Sequence, residues 1–541
     1  MADGSRSSPA ANPDAAWVRL LMPSVADLIF VAMLSLLVFT ALSVRLLGDA
    51  GIGWHIRAGQ QILATHAIPR VDSFSSIMQG KPWFAWEWFY DVLVGWLEGA
   101  AGLNGVVLFT AAIIAAAFAS TFRLLLQRGT NVLVALALVL LAASASMIHF
   151  LARPHVVSWL LTLVWFWILD SSEARCFQGA SLQRSGRLLW LLPPLMLLWV
   201  NVHGGFLIGF VLLGIYLVSA IWVWFRTKED QLDLLLRRLR AAKRIRDLAA
   251  VSVLAAAATF ANPYGWKLHV HIYQYLSNRF LMDHIEEFQS PDFHGVAQKC
   301  FAGMLLIAFV ALAARPRVLR MSEGLVLLFA VYSGLYASRN IPVSSLLLAL
   351  VIGPPLSQAI DGLAWKGGAW ASLRRLCAAP TAFSARMANV ESGLRGHLWP
   401  IFAIALFCGI SANGGRLGTH TLMDAHFDGK RFPVKAVDYL KTDGDKSAVL
   451  SPDYWGGYLI YRLYPQRLVA IDDRHDLYGE ELLKSYLKLM RAQPGWDGFL
   501  REHEIRRVLV PTDSPPASLL REKGDWKVVY ADQRAVLFEA R

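Results

Sequence analysis

LIFVAMLSLLVFTALSV fills residues 28–44 without a single charge, and the run that follows, RLLGD, ends on Asp49. An uncharged stretch of about 17–25 apolar residues matches the hydrocarbon thickness of a bilayer, where a helix satisfies its own backbone hydrogen bonds. VLVALALVLLAASASMI (132–148) has the same character. Over its 541 residues the chain is 55% hydrophobic and 17% charged, with mean hydropathy +0.42 and 20 tryptophans. Soluble domains carry about 25% charge, so these runs are not the cores of soluble domains. The sequence predicts an α-helical polytopic membrane protein.

Working outward from 28–44, eleven spans are expected: 26–47, 103–126, 132–150, 156–169, 188–200, 204–225, 247–261, 297–314, 322–338, 341–360 and 398–412. The formal charge of +12 and pI of 9.6 would fit a nucleic-acid binder if the charge were spread. It is not. With the N-terminus inside and each charge within a span counted to its nearer side, the cytoplasmic side holds 23 Lys and Arg against 12 Asp and Glu; the external side before the tail holds 9 and 9, and the tail from Asn413 holds 20 and 19. The excess therefore reports topology through the positive-inside rule, not a nucleic-acid partner. RTKEDQLDLLLRRLRAAKRIRD (226–247) reads as an amphipathic connector lying on an anionic inner leaflet, or as a docking site there.

Three parts follow: a cytoplasmic tail (1–25), a membrane domain (26–412) whose first external loop covers 48–102, and an external α/β domain (413–541). The first apolar run lacks a small-residue cleavage site and reads as an anchor. The first loop should hold two membrane-surface helices, WHIRAGQQILATH (54–66) and the Trp-rich PWFAWEWFYDVLVGWLEGA (82–100). In the tail, SAVLSPDY, RLVAIDD, RRVLVPT, KVVYAD and AVLFEA look like short strands, with GEELLKSYLKLMRAQ as a helix between them. Cys176, Cys300, Cys377 and Cys408 show no CxxC spacing, so neither a disulfide framework nor a zinc site is expected. There is no Walker loop, HExxH, GxSxG or GxGxxG in a supporting context. An energy-rich substrate would be one already in the membrane.

Polar residues at membrane depth are costly, which makes them functional candidates. Here they share the external side: Asp49, His55, Asp72, Glu87 and Asp91, then Arg153 and His155 of RPH, Asn201 and His203 of NVHGG, Asn262 and Tyr264 of NPYG, and Arg339 with Asn340. A carboxylate bordering low dielectric suits a general base, so Asp49 has that reading; the other is an interfacial cap on the next helix. Arg153 and Arg339 read either as phosphate ligands or as snorkelling side chains. His203, before two glycines, and the NPYG turn have structural readings beside their binding ones. Glu286 and Glu287 read as a solvated loop or a divalent-cation site.

These residues resemble a known family. An inside N-terminus, a first span ending in Asp and a long first external loop with two surface helices are similar to the C-type (GT-C) membrane glycosyltransferases. That family includes protein mannosyltransferases, oligosaccharyltransferases and lipid A aminoarabinose transferases. DAGIGWHIRAGQQILATHAIPRVDSFS, GKPWFAWEWFYDVL, RPH, NVHGGF, ANPYGW, FQSPDFH and DYWGGYLIYRLYP…RLVAIDDRHDLYG are similar to a group of bacterial members, and together they cover nearly the whole chain. The resemblance implies transfer of a sugar from a polyprenyl-phosphate donor to a glycan, lipid or protein acceptor, on the periplasmic face of a bacterial inner membrane. It maps the catalytic base onto Asp49 and lets acceptor hydroxyl attack the anomeric carbon with inversion. Arg153, His155 and Arg339 would stabilise the lipid phosphate; Asp72 and Glu87 would meet acceptor or metal; His55, His203, Asn262 and Tyr264 complete the substrate-binding set. Related sequences show a second acid two residues after the first. Here that position is Gly51, so no metal ligand is assigned, and a divalent cation, Mg or Mn, stays an open cofactor. The rival is a non-catalytic transporter or scaffold for envelope polysaccharide, against which stands the near absence of charge within the spans.

Overall fold

The computed structural model describes residues 19, 21–177, 186–227, 231–314, 318–365, 371–394 and 397–541. Most of the tail 1–25, and Lys228 of the basic connector 226–247, lie outside them. The chain is mostly helical, and the expected spans fall on helices, though 26–47 is broken after Phe39 and 247–261 is the second half of a longer helix that is not among the apolar ones. The helices used below are α1 (Val25–Phe39), α2 (Gly51–Thr65), α3 (Trp88–Gln127), α4 (Val132–Ser146), α5 (His155–Phe177), α6 (Leu192–Val200), α7 (Leu207–Arg226), α8 (Leu232–Ala258), α9 (Trp266–Ser277), α10 (Val296–Ala313), α11 (Met321–Tyr336), α12 (Ile341–Trp365), α13 (Ala371–Gly393) and α14 (Leu398–Ala412). Among the described residues, six helical stretches are long and apolar enough to cross a membrane, and four more apolar helices are shorter.

Two expected boundaries dissolve. The second surface helix and the second span are one element, α3, bent at Ala101 and Gly102, where Gly102 takes φ +61°. Glycine adopts that backbone without the clash a Cβ would bring. The basic connector and the seventh span likewise merge into α8, because no Gly or Pro interrupts residues 232–258. Arg244 is consequently not on a surface: its guanidinium donates to Ser172 Oγ (2.9 Å) and Leu169 O (3.1 Å). At the far end of α3 from Glu87, Arg128 pairs with Asp170 and Glu323, and Arg320 pairs with Asp170, Glu173 and Glu323. Those charges are consumed by each other.

The tail adds α15 (Val434–Thr442), α16 (Asp453–Leu463), α17 (His475–Met490) and a four-stranded sheet of β1 (Val449–Leu450), β2 (Arg507–Pro511), β3 (Trp526–Ala531) and β4 (Ala535–Ala540). The strand order is β1-β2-β4-β3, with β1–β2 parallel and the other pairs antiparallel. RLVAIDD is not a strand of this sheet. It crosses between β1 and the first loop, where Val469 bridges Val449 on one side and Ser75 on the other. Its backbone hydrogen bonds are therefore shared between two parts of the chain (Val469 N to Phe74 O, 3.2 Å; Ser76 N to Val469 O, 2.8 Å). The hydrophobic core is shared too: Trp455, Tyr458 and Leu463 of α16 belong to the same buried cluster as α1 and α3.

Glycines allow this docking. A Cβ on Gly53 would lie 2.1 Å from Gly457 O, and one on Gly457 would lie 2.2 Å from Ala50 O, so α2 and α16 touch backbone to backbone. Gly59 makes the equivalent approach to α3, where a Cβ would meet Asp91 O at 1.7 Å. Backbone atoms cannot rotate away as a side chain can. Gly457→Ala is therefore expected to cost about 1–3 kcal/mol or more as an overpacked contact, read as a lowered thermal midpoint. Gly444→Ala, where an added Cβ meets nothing within 4 Å, is the matched control and should leave the midpoint nearly unchanged.

Candidate functional site

α2 lies between α3 and α16, so its buried face carries Trp54 and His55 into the middle of the molecule. There they meet the N-terminus of α3, the RPH turn before α5, the NVHGG turn before α7, the 285–288 turn, the 338–340 turn and residues 473–476 of the tail. These segments enclose a cavity of about 490 Å³. Each is a turn or a helix end, where backbone and side chains are free to face inward without breaking a helix.

The cavity wall includes His55, Glu87, Arg153, His155, His203 and Arg339 of the sequence-derived set. Arg153 is the hub. Its Nε lies 3.3 Å from Asp49 Oδ1, and its Nη2 donates to Asp473 Oδ2 at 3.0 Å. Asp49 is not part of the wall but is joined to it through Arg153; its Oδ1 also accepts from Gly51 N (2.7 Å), a local turn bond at the entry to α2. Asp473 Oδ1 accepts from Trp54 Nε1 at 3.1 Å. Burial raises the Asp473 carboxyl to about 7, with Arg153 opposing the rise and Asp49 adding to it.

Across the cavity Glu87 sits 3.8 Å from both His55 Nε2 and His203 Nε2. Burial raises its carboxyl to about 8, against the pull of Arg153. Burial likewise drives His203 down to about 3 and His55 well below the ordinary imidazole range. Near neutrality the trio is thus a protonated acid between two neutral rings, a hydrogen-bonding surface with no net charge. His55 Nδ1 rests 2.6 Å from Asp91 Oδ1, and His203 Nδ1 is held by Gly205 N (3.0 Å) and lies 2.8 Å from Ser158 Oγ. On the remaining side Arg339 pairs with Glu287 at 3.3 Å and covers the Phe288 ring. Burial pushes the Glu287 carboxyl up, but Arg339 and then Arg153 pull it down further, to about 2. His155 Nε2 is 2.9 Å from His149 O.

The Glu87 shift carries a pH dependence. Its folded value near 8 stands above its ordinary 4.5, so the fold holds a proton that the unfolded chain releases. That contribution to stability is complete below about pH 4.5 and is lost as pH rises towards 8. Glu87→Gln keeps the shape and removes the titration. Thermal midpoints measured from pH 5 to 8.5 should fall less steeply for the variant than for the unmodified protein.

Three residues of the set are placed elsewhere. Asp72 is fully buried, accepting from Phe74 N, Ser75 N and Ser75 Oγ and facing Arg474. Asn262 ties its own turn together through Thr259 O, Gly265 O and Tyr264 N. Tyr264 Oη accepts from Ala85 N (2.7 Å) and donates to Pro69 O (3.0 Å), fastening the first loop. The residues that sequence reasoning left without a role are Asp473, Arg474 and Asp476 of the tail, and His149. Asp476 Oδ2 lies 3.0 Å from His271 Nε2, whose ring stacks on Phe84. The dense charge of IDDRHD was the available signal, but nothing in the sequence says what it faces.

A divalent cation would need several free oxygen or nitrogen ligands converging on one point. Among the described residues no group of three His, Cys, Asp or Glu is assembled to hold a metal, and the carboxylates of Asp49, Asp473, Glu287 and Asp476 each face an Arg or a His. The residues present do not fit such an ion.

The sequence matches no family model and no curated protein. Solved structures do match. The oligosaccharyltransferase of Archaeoglobus fulgidus, tethered with an acceptor peptide, superposes with TM-score 0.53 at 13% identity, over 93% of this chain and 70% of that one; its apo form gives 0.50 at 12%, over 92% and 70%. The chain has a GT-C-type fold. ArnT from Cupriavidus metallidurans in the apo state aligns at TM-score 0.49 and 14% identity, over 97% of this chain and 98% of that one. Within the GT-C-type fold the first loop, the turns between helices and the tail converge on one cavity lined by Arg153, Glu87 and Asp473.

Proposed function

We propose that the protein is a membrane glycosyltransferase that moves a sugar from a polyprenyl-phosphate-linked donor to an envelope acceptor, on the periplasmic face of a bacterial inner membrane, with Asp49 as general base. The observation that carries this reading is that Asp49, just behind the cavity wall, meets Arg153 at 3.3 Å, and that Arg153 lines the cavity together with Arg339. A carboxylate that can take a proton and a guanidinium that can meet a phosphate stand side by side, as an inverting displacement requires. Asp49 takes the acceptor hydroxyl proton as that oxygen bonds to the anomeric carbon. The bond from that carbon to the phosphate oxygen breaks, and its electron pair leaves with the lipid phosphate. Arg153 and Arg339 offset the charge that develops, and being held in place they need little reorganisation to do so. The neutral Glu87–His55–His203 surface suits hydrogen bonds to sugar hydroxyls.

The test is reconstitution of the purified protein with a panel of radiolabelled polyprenyl-phosphate sugars and envelope acceptors. Transfer to any acceptor supports the reading. Binding of lipid-linked sugar without transfer, across a broad panel, would overturn it in favour of a carrier or scaffold.

A further inference from the structure

Position 51 holds glycine, and the space its side chain would take is already full. A Cβ there would stand 2.7 Å from Asp473 Oδ2, 2.8 Å from Arg153 Nη2 and 3.0 Å from Asp49 Oδ1. Two carboxylates from opposite ends of the chain thus close on one point, with a guanidinium between them. Asp473 does not arrive by itself. On one side of it, Arg474 lies against Asp72 of the first loop; further on, Asp476 meets His271 of α9. The segment 472–476 is a clasp that holds the tail to the cavity wall.

We infer that Asp473 is the second carboxylate of this site, carried in by the tail to occupy the place of a side chain at 51 and to position Arg153 jointly with Asp49. The inference rests on the reading above. Asp49 faces Nε and Asp473 faces Nη2, along one edge of the guanidinium. Nη1 has no hydrogen-bond partner among the described residues and is the nitrogen left for an anion. When Asp49 gains the acceptor proton, its claim on the Arg153 charge ends. Asp473 keeps the guanidinium in place, and the charge becomes available to the phosphate that leaves in the same step. Asp473 is a positioning residue: it acts through Arg153, and burial raises its carboxyl to about 7, with Arg153 and His475 opposing the rise and Asp49 and Asp472 adding to it.

The test uses the full-length protein and two arms. In the first, Asp473→Asn is assayed for transfer, for binding of undecaprenyl phosphate alone, and for thermal midpoint. Lost positioning should lower kcat about 100-fold while undecaprenyl phosphate binds no more weakly, because the substitution removes a negative charge next to Arg153. A kcat within threefold of the unmodified protein, or loss of affinity in parallel with a fallen midpoint, overturns the inference. If the unmodified protein neither transfers sugar nor binds undecaprenyl phosphate, the glycosyltransferase reading itself falls, and the charge-release role with it. The second arm needs no activity. Gly51→Ala should lower the midpoint in the unmodified background and clearly less in Asp473→Ala, where the nearest of the three crowding atoms is gone. Equal penalties in both backgrounds would overturn the placement of Asp473.

Discussion

Asp49→Asn is expected to reduce sugar transfer by about 10²–10⁴-fold, the range typical for loss of a general base, with little change in fold or in affinity for polyprenyl phosphate. The substitution separates the two roles open to this residue. Asp49 Oδ1 accepts from Gly51 N at 2.7 Å, a local turn bond that asparagine makes as well as aspartate does. If Asp49 served only this turn bond, the variant would behave as the unmodified protein. What asparagine cannot do is take a proton. Removing the carboxylate beside Arg153 also leaves that guanidinium freer to meet phosphate, so a lost rate with retained binding is the signature of the base. The measurement is initial transfer rate beside equilibrium binding of undecaprenyl phosphate. A transfer rate within threefold of the unmodified protein would remove Asp49 from the chemistry.

The second large effect is on stability. Arg474→Met is expected to destabilise the protein by about 3–5 kcal/mol, the cost of breaking a buried ion pair from one side. Arg474 and its two carboxylate partners are almost wholly shielded from solvent. Nε and Nη2 grip Asp472 through two hydrogen bonds of 2.8 and 2.7 Å, and Nη1 stands 2.8 Å from Asp72 Oδ1 as an ion pair without hydrogen-bond alignment. The guanidinium also covers the Trp83 ring at 4.7 Å. Methionine fills much of the volume and supplies no charge, so two carboxylates would be stranded in low dielectric. Asp472 would keep the Tyr478 hydroxyl (2.7 Å) and Asp72 its Ser75 and Phe74 donors, which is why the expected loss is not larger. Thermal unfolding in detergent, with limited proteolysis between the first loop and the tail, reads the outcome. A midpoint within a few degrees of the unmodified protein would show that the clasp is not what holds the tail.

The membrane helices were legible because their signal is local: an uncharged run of sufficient length is a span wherever it occurs. The grouping of His55, Glu87, Arg153, His155, His203 and Arg339 was legible for a related reason. Alternating spans sort loop residues by side, and those six were all assigned to one. Asp72 and Asp473 show where that logic stops. Both are acids next to turns, and by sidedness they are equivalent. One is neutralised by an arginine 402 positions away, the other lines the cavity, and only the three-dimensional route of 467–476 distinguishes them. RLVAIDD has the composition of a strand, and a strand-like partner exists on each side of Val469. Tertiary pairing with the first loop, not propensity, decides that it ends as a crossing. Connector and span merge in α8 because a change in charge does not end a helix; a breaker does, and 232–258 contains none.

The contact between Gly53 and Gly457 binds the history of two segments that lie four hundred positions apart. A lineage that enlarged residue 53 would have to reshape the tail in the same interval, and one that enlarged residue 457 would have to move the start of α2. The DYWGG and GIGWH stretches are thus coupled sterically, and a larger side chain in one has no room unless the other shifts. Shuffling a tail between relatives should succeed only when the first loop travels with it.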